Sequence, residues 1–372
     1  MTRQFPEARV RKLRLRSQLL AGATGADVHD AVRHMGALQA QSTPASRLSL
    51  RPRTSGLDVG DVTRACNEER SIVRTWTLRG TLHMVAASDV GWMVALLGPG
   101  FAERGRRRRH QLGLDDQVCA RALETLMDVM GGRGPLTRGE LMRELMKTGV
   151  PIDPTGQAPA HLVALAAMRG LICLGPELAD DEPTYVLLDE WLDPGPSLEP
   201  EEALAELTRR YLRGHGPAGA PDLAAWAGIA LGRAHRGLDL VAEELEQVKV
   251  AKEPAWIMPS EPAEPEPAGP AVRLLAAFDA YVLGYRDRAL LLAPEFAHRI
   301  QAGGGWIHPA MVVDGRIAGT WKLQRRRTRA TVLVEPFEPL RRALLADLEV
   351  EVADVGRFLG TEVALEVAPI SN

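Results

Sequence analysis

Apolar residues recur at helical spacing from Leu123 to Met130, and the run stops at Gly131, Gly132, Gly134 and Pro135. Thr137 followed three residues later by Glu140 is a capping-box signature, and it opens a second helix carrying Leu141, Leu145 and Met146. A third helix is predicted from about Ala158 to Arg169, with Leu162, Leu165, Ala166 and Met168 apolar and Gly170 at its end. The apolar run Leu171 to Leu174, the polar loop Gly175 to Pro183 and the run Thr184 to Leu188 predict a returning pair of strands. Three helices followed by a β-hairpin is the order of a winged helix.

The order recurs. A helix over Ala203 to Leu212 precedes His215-Gly216-Pro217 and then Asp222-Leu223, as Gly134-Pro135 precedes Glu140-Leu141 by the same interval. Each acidic residue is placed near a helix N-terminus, where the dipole favours it. The first third fits a looser third copy. Helices are predicted over Arg11 to Leu20, Val28 to Leu38 and Asp61 to Cys66, and strands over Ser71 to Arg74 and Thr81 to Val85 flank Trp76 to Gly80. Glu253 to Pro270, rich in Pro and Glu, reads as a linker or surface loop. Strands follow over Val272 to Phe278, Met311 to Val313, Arg316 to Lys322 and Ala330 to Val334, with Asp314-Gly315 as a hairpin turn. The expected organisation is α+β, in three domains at 1–120, 121–196 and 197–372, the last with a β-rich extension.

Composition narrows the class. With 372 residues, 45% of them hydrophobic and 25% charged, the chain has room for two or three cores and is too apolar for global disorder. Cys66, Cys119 and Cys173 lie far apart, which excludes a disulfide framework and a Cys-rich zinc site and fits a reducing compartment, the cytoplasm. No apolar run is long enough to span a membrane, and Met1 to Arg16 is charged without the apolar stretch of a secretory signal. The net charge of −3 hides a division: residues 1–110 hold 19 Lys and Arg against 9 Asp and Glu, and the remaining 262 residues hold 26 against 39. A basic end of this kind suits a polyanion. An Arg-rich composition inherited from a GC-rich coding sequence would give the same figures.

Phosphate-cradling motifs, a dinucleotide fingerprint and HExxH are all absent, and His29 and His34 are five residues apart, off a common helix face. No metal or cofactor is implied. The first positive signal is Gln39-Ala40-Gln41, between an apolar helix and the helix-breaking Ser42-Thr43-Pro44. If this segment leaves the helix and extends, residues i and i+2 point the same way, and two neutral amides share one pocket able to hold a water. Two solvated amides at a helix end are the plain alternative. Arg74, Trp76, Arg79 and His83 interleave cations with an aromatic ring, as a nucleic-acid surface does; a strand with Trp76 in the core reads equally well. Arg106, Arg107 and Arg108 sit in the cationic run Arg104 to His110, either a phosphate clamp or an exposed helix face, and Arg325, Arg326 and Arg327 fall where a hairpin tip is expected. Asp279, Tyr281, Tyr285 and Arg286 could line a cleft or form a structural Asp–Arg network. The helix over Ala158 to Gly170 offers only His161 and Arg169 as long polar side chains, too few to read a major groove.

Taken in order, Gln39-Ala40-Gln41, Arg74-Thr75-Trp76 with Leu78 to His83, Gly216-Pro217 with Asp222-Leu223 and Trp226, Phe278-Asp279 with Leu283 to Arg288, and Val313-Asp314-Gly315 with Gly319-Thr320-Trp321 resemble the AlkZ-like DNA glycosylases over nearly the whole chain. The resemblance implies three tandem winged helices in a C shape with a basic concave face. It further implies monofunctional excision of bulky N7-alkylated purines from double-stranded DNA by a monomer, extending in some members to interstrand crosslinks and to self-resistance against DNA-alkylating antibiotics. The family's Gln–hydrophobic–Gln/Asp motif falls on Gln39 and Gln41 as catalytic residues, with Ala40 smaller than the usual middle residue. Rival classes are a winged-helix regulator that binds an operator without chemistry and an architectural DNA binder.

Overall fold

The computed structural model describes residues 3–22, 25–178, 182–193, 195, 197–259, 272–326 and 329–370, the side chains of Arg326 and Arg329 excepted. The chain packs as two compact units: Thr63–Leu204, and Met1–Val62 together with Ala205–Asn372.

In the unit Thr63–Leu204, helices Asp116–Met130, Arg138–Lys147 and Ala158–Met168 are followed by strands Ile172–Leu174 and Thr184–Leu187, paired antiparallel. This is the element order expected from the sequence. The Asp115 carboxylate caps the first helix by accepting from the Val118 N–H at 2.8 Å. Thr137 and Glu140 cap the second reciprocally: the Thr137 hydroxyl accepts the Glu140 N–H, and the Glu140 carboxylate accepts the Thr137 N–H. The apolar faces converge on Leu126, Leu141, Leu145, Leu162, Leu165 and Ile172, all buried. Ala102 and Leu114 belong to the same core, so packing continues across residue 120. A long helix, Ala87–Arg104, crosses the third helix so closely that a Cβ at Gly98 would collide with the Met168 carbonyl oxygen. Strands Ile72–Trp76 and Leu82–Ala86 pair as the expected hairpin, and within this unit the strand order is Leu82–Ala86, Ile72–Trp76, Ile172–Leu174, Thr184–Leu187, Leu136–Thr137.

In the other unit, helices Ala220–Ala227 and Leu231–Leu240 precede a hairpin of strands Glu246–Val250 and Glu253–Ile257. Asp222 accepts the Gly219 N–H at 3.1 Å, the place Glu140 takes at Thr137, so the two acidic-Leu pairs do mark matching helix starts. The linker expected from Glu253 is corrected here. Glu253–Ile257 is a strand, and Pro254 is tolerated because this strand lies at the edge of its sheet. The rest of that segment, 260–270, lies outside the described residues.

Toward the C-terminus, strands Val272–Leu275, Ala310–Val313, Arg316–Arg326, Arg329–Pro336 and Val363–Val367 form one sheet in that order. Helix Arg342–Leu359 buries Leu348, Val352 and Val355 against it. Asp314 (φ 47°) and Gly315 (φ 78°) make the predicted tight turn, with two consecutive left-handed residues matching the twist of the strands they join.

Candidate active site and nucleic-acid interface

The helix Val28–Met35 ends at Gly36, whose φ of 75° no β-carbon-bearing residue adopts easily. The helix therefore stops three residues short of the Leu38 expected, and the chain extends. Leu38–Gln39 is a short strand, Ser42 is still extended (φ −120°, ψ 112°), and helix Thr43–Leu48 begins with Pro44 in its first turn. Side chains alternate through the extended stretch: Ala40 is 1% exposed, Gln39 is half-buried and Gln41 is exposed. Gln39 Nε2 donates to Gln41 Oε1 at 2.5 Å. The two amides thus face the same way, as extension requires. The bond between them leaves Gln41 its amide N–H groups and a second carbonyl lone pair for a ligand. A neutral amide is no base, but its carbonyl can orient a water or stabilise positive charge nearby.

The aromatic–cation segment is largely internal, a correction to its expected role on DNA. Arg74 is 5% exposed and ion-paired with Glu177, itself equally sheltered. Trp76 packs on the apolar core of its unit. His83 is 1% exposed; its Nδ1–H donates to the Thr81 carbonyl at 2.9 Å, and its Nε2 faces Arg79 at 3.2 Å. Burial, and then the Arg79 charge, hold the His83 imidazole down at about 3, so it is neutral. A strand alternates its faces, and this one presents Arg74 to the interior.

The run Arg104 to His110 folds as the end of one helix and as a second, Arg106–Gln111. Arg109 is buried and donates to the Ala102 carbonyl. Arg106 is paired with Asp116, and Arg108 donates to Gln157 Oε1 at 2.8 Å. Arg107 is exposed. Glu103, Arg104, Arg106, Arg107, His110 and Gln111 line a surface recess of about 500 Å³. An exposed helix face, rather than a loop, carries these cations. Arg325 is exposed on its strand, and the strand pairing reaches Arg326 opposite Arg329. Arg327 lies outside the described residues.

The expected cleft at Asp279 is also corrected. Asp279, Tyr281 and Tyr285 are each 0–1% exposed. Asp279 grips the Arg53 guanidinium with both oxygens, at 2.7 and 2.9 Å. Tyr281 donates to the Gly315 carbonyl and Tyr285 to the His215 carbonyl. Arg286 is exposed, its backbone N–H on Asp222. The Arg14 guanidinium lies 3.7 Å from the centre of the Tyr285 ring and donates to the Pro217 carbonyl. These motif residues build a polar core. Asp27, His29 and Asp30 bring potential metal-ligand atoms within 4.8 Å, but the Asp27 carboxylate already caps its helix by accepting the Asp30 N–H.

The profile of the family described as DNA glycosylase AlkZ-like matches residues 32–358. The chain belongs to this family. It is 27% identical over 361 residues to the interstrand DNA cross-link repair glycosylase of Streptomyces sahachiroi, covering 93% of this chain and 95% of that one. The solved Streptomyces sahachiroi DNA glycosylase AlkZ superposes with a TM-score of 0.83 at 24% identity, over 98% of this chain and all of the other, which fixes the shared α+β fold. As an AlkZ-like protein the chain is a DNA glycosylase, and the amide pair described above lies within the matched region. No helix among the described residues is long and apolar enough to cross a membrane.

Proposed function

We propose that this glycosylase removes N7-alkylated purines from double-stranded DNA by hydrolysis, with Gln39 and Gln41 holding the attacking water beside the anomeric carbon. The observation that carries the reading is the direct contact between two outward amides, Gln39 to Gln41 at 2.5 Å, beside an inward Ala40. Alkylation at N7 gives the base a positive charge, so it departs with little acid catalysis. What remains is to steady an oxocarbenium-like sugar and to place a water, and carbonyl dipoles suffice for both. Bulky adducts, including interstrand crosslinks, suit an exposed pair better than a tight pocket entered by base flipping. The relative named for interstrand cross-link repair supports that extension; a role in self-resistance to an alkylating antibiotic is part of the same proposal and rests on the family resemblance.

DNA is held in this reading by exposed cations, Arg107 and Arg325 first, on three winged-helix units acting as a monomer in the cytoplasm. The helix–helix–helix–hairpin orders ending in Ile172–Leu187 and in Glu246–Ile257 support two of those units. The recognition-helix position of the first, Ala158–Met168, is spent on packing, with Leu162, Val163, Leu165, Ala166 and Ala167 buried, which disfavours an operator-reading regulator. The test is incubation with a duplex carrying one N7-methylguanine, followed by alkali. Strand scission at the lesion supports the proposal; binding without scission overturns it in favour of a non-catalytic binder.

A further inference from the structure

Arg51 and Arg53, in Arg51-Pro52-Arg53, are the largest of the fully buried side chains among the described residues, 1% and 0% exposed. Arg53 makes four polar contacts, to three residues of its unit. It meets both Asp279 oxygens, Gln18 Oε1 at 3.1 Å and the Ser49 carbonyl at 2.6 Å. Ser49 is the C-cap of helix Thr43–Leu48, and Ser42, the N-cap of the same helix, directly follows Gln41. The guanidinium therefore grips the far end of the short helix that Gln41 leads into, at a carbonyl the helix leaves unpaired, where a cation is favoured. Arg51 binds alongside, to Glu351 and Asp354. On the other flank Gly36 is clamped: a Cβ there would meet Arg210 Cβ and Trp226 Cη2 at 3.3 Å each.

We propose, resting on the assignment of Gln39 and Gln41 as the catalytic pair, that the buried Arg53–Asp279 ion pair is a positioning element that fixes the direction of the Gln41 amide. A fully desolvated ion pair is a poor device for stability, since apolar replacements of equal volume often do as well. Its value is directional, because a bidentate guanidinium–carboxylate pair admits one geometry. Asp279 is held in turn by the Tyr281 N–H at 2.8 Å. Phe278 beside it takes a φ of 60°, a left-handed conformation an aromatic residue adopts only under tertiary constraint. Ala40 in the core and Gly36 against Trp226 hold the segment's N-terminal side; Arg53 holds its C-terminal side. A water held by this amide pair tolerates little misplacement, and an error near 1 Å costs roughly 100-fold in rate.

The test compares Arg53→Lys and Asp279→Asn with the parent, each at a temperature where circular dichroism shows it fully folded. Two readouts are taken: single-turnover excision of N7-methylguanine against duplex affinity, and the side-chain NH2 resonances of Gln39 and Gln41, assigned by loss in Gln39→Ala and Gln41→Ala. The proposal expects excision to fall at least roughly ten-fold with duplex affinity within about two-fold, and the Gln41 side-chain signals to move or broaden. Lys keeps the charge without the two-pronged geometry, so Arg53→Lys is expected to behave as Asp279→Asn does. Unmoved Gln signals in both variants overturn the proposal, as does excision lost only in proportion to affinity or folded fraction. If the parent excises nothing, the catalytic assignment fails, and the resonances still decide whether Arg53 sets the amide.

Discussion

Gln39 and Gln41, two residues apart, donate and accept a single hydrogen bond of 2.5 Å on the outward side of an extended segment whose middle residue is buried. A helix would have turned these side chains some 200° apart. Gly36, a left-handed stop just before them, and Pro44, in the first turn of the helix after them, hold the stretch out of a helix.

Arg74 and Arg107 separate stability from binding. Arg74→Ala removes the cation from the sheltered Arg74–Glu177 ion pair and is expected to cost about 3 kcal/mol of unfolding free energy, read as a lower urea midpoint. Arg107→Ala is expected to leave that midpoint unchanged and to lower the slope of log affinity against log salt by about 0.9, the value for one phosphate contact. A salt slope unmoved by Arg107→Ala removes it from the DNA interface.

Stability is expected to fall with acid from pH 6.5 downward. The His83 and His215 imidazoles are held at about 3, in both cases by burial first. Both are therefore neutral in the fold, while the unfolded chain protonates near 6.5. The unfolded state binds the extra protons, so stability is complete above that value and is lost as pH falls toward 3. At pH 5 the loss is about 2 kcal/mol per imidazole. Urea titrations at pH 7.5 and 5 measure it, and His83→Gln is expected to flatten the dependence by one imidazole's share, about 2 kcal/mol at pH 5.

Gly98 and Gly100 lie two residues apart in one helix and are expected to respond oppositely to alanine. Gly98→Ala drives a methyl into the Met168 carbonyl and costs about 2 kcal/mol or more. At Gly100 a Cβ meets nothing within 4 Å, so Gly100→Ala gains roughly 0.5–1 kcal/mol from helix propensity. Thermal midpoints of the two variants check the pair.

What the sequence made legible was local. Thr137 with Glu140, Asp314 with Gly315, and the matched Glu140 and Asp222 are signals within a few residues, and the structure uses each as read. The outward amide pair was legible as a condition, since it needed only extension. The polar core was not. Arg51 meets Glu351 and Arg53 meets Asp279 across 300 and 226 positions, and no periodicity encodes such pairing. For the same reason the basic N-terminal third overstated its surface charge: Arg14, Arg51, Arg53, Arg74 and Arg109 are all buried. Helix Arg342–Leu359 also went unread beside the strand pattern that precedes it.

The measurement that bears most directly on the mechanism is alkali-revealed strand scission by Gln41→Ala on a duplex with one N7-methylguanine, beside its affinity for the same duplex. Removing the amide is expected to lower the excision rate by roughly 100-fold while affinity stays within about two-fold, because phosphate contacts supply most of the binding. Excision at the parent rate, or a loss that merely tracks affinity, contradicts the amide pair as the holder of the water.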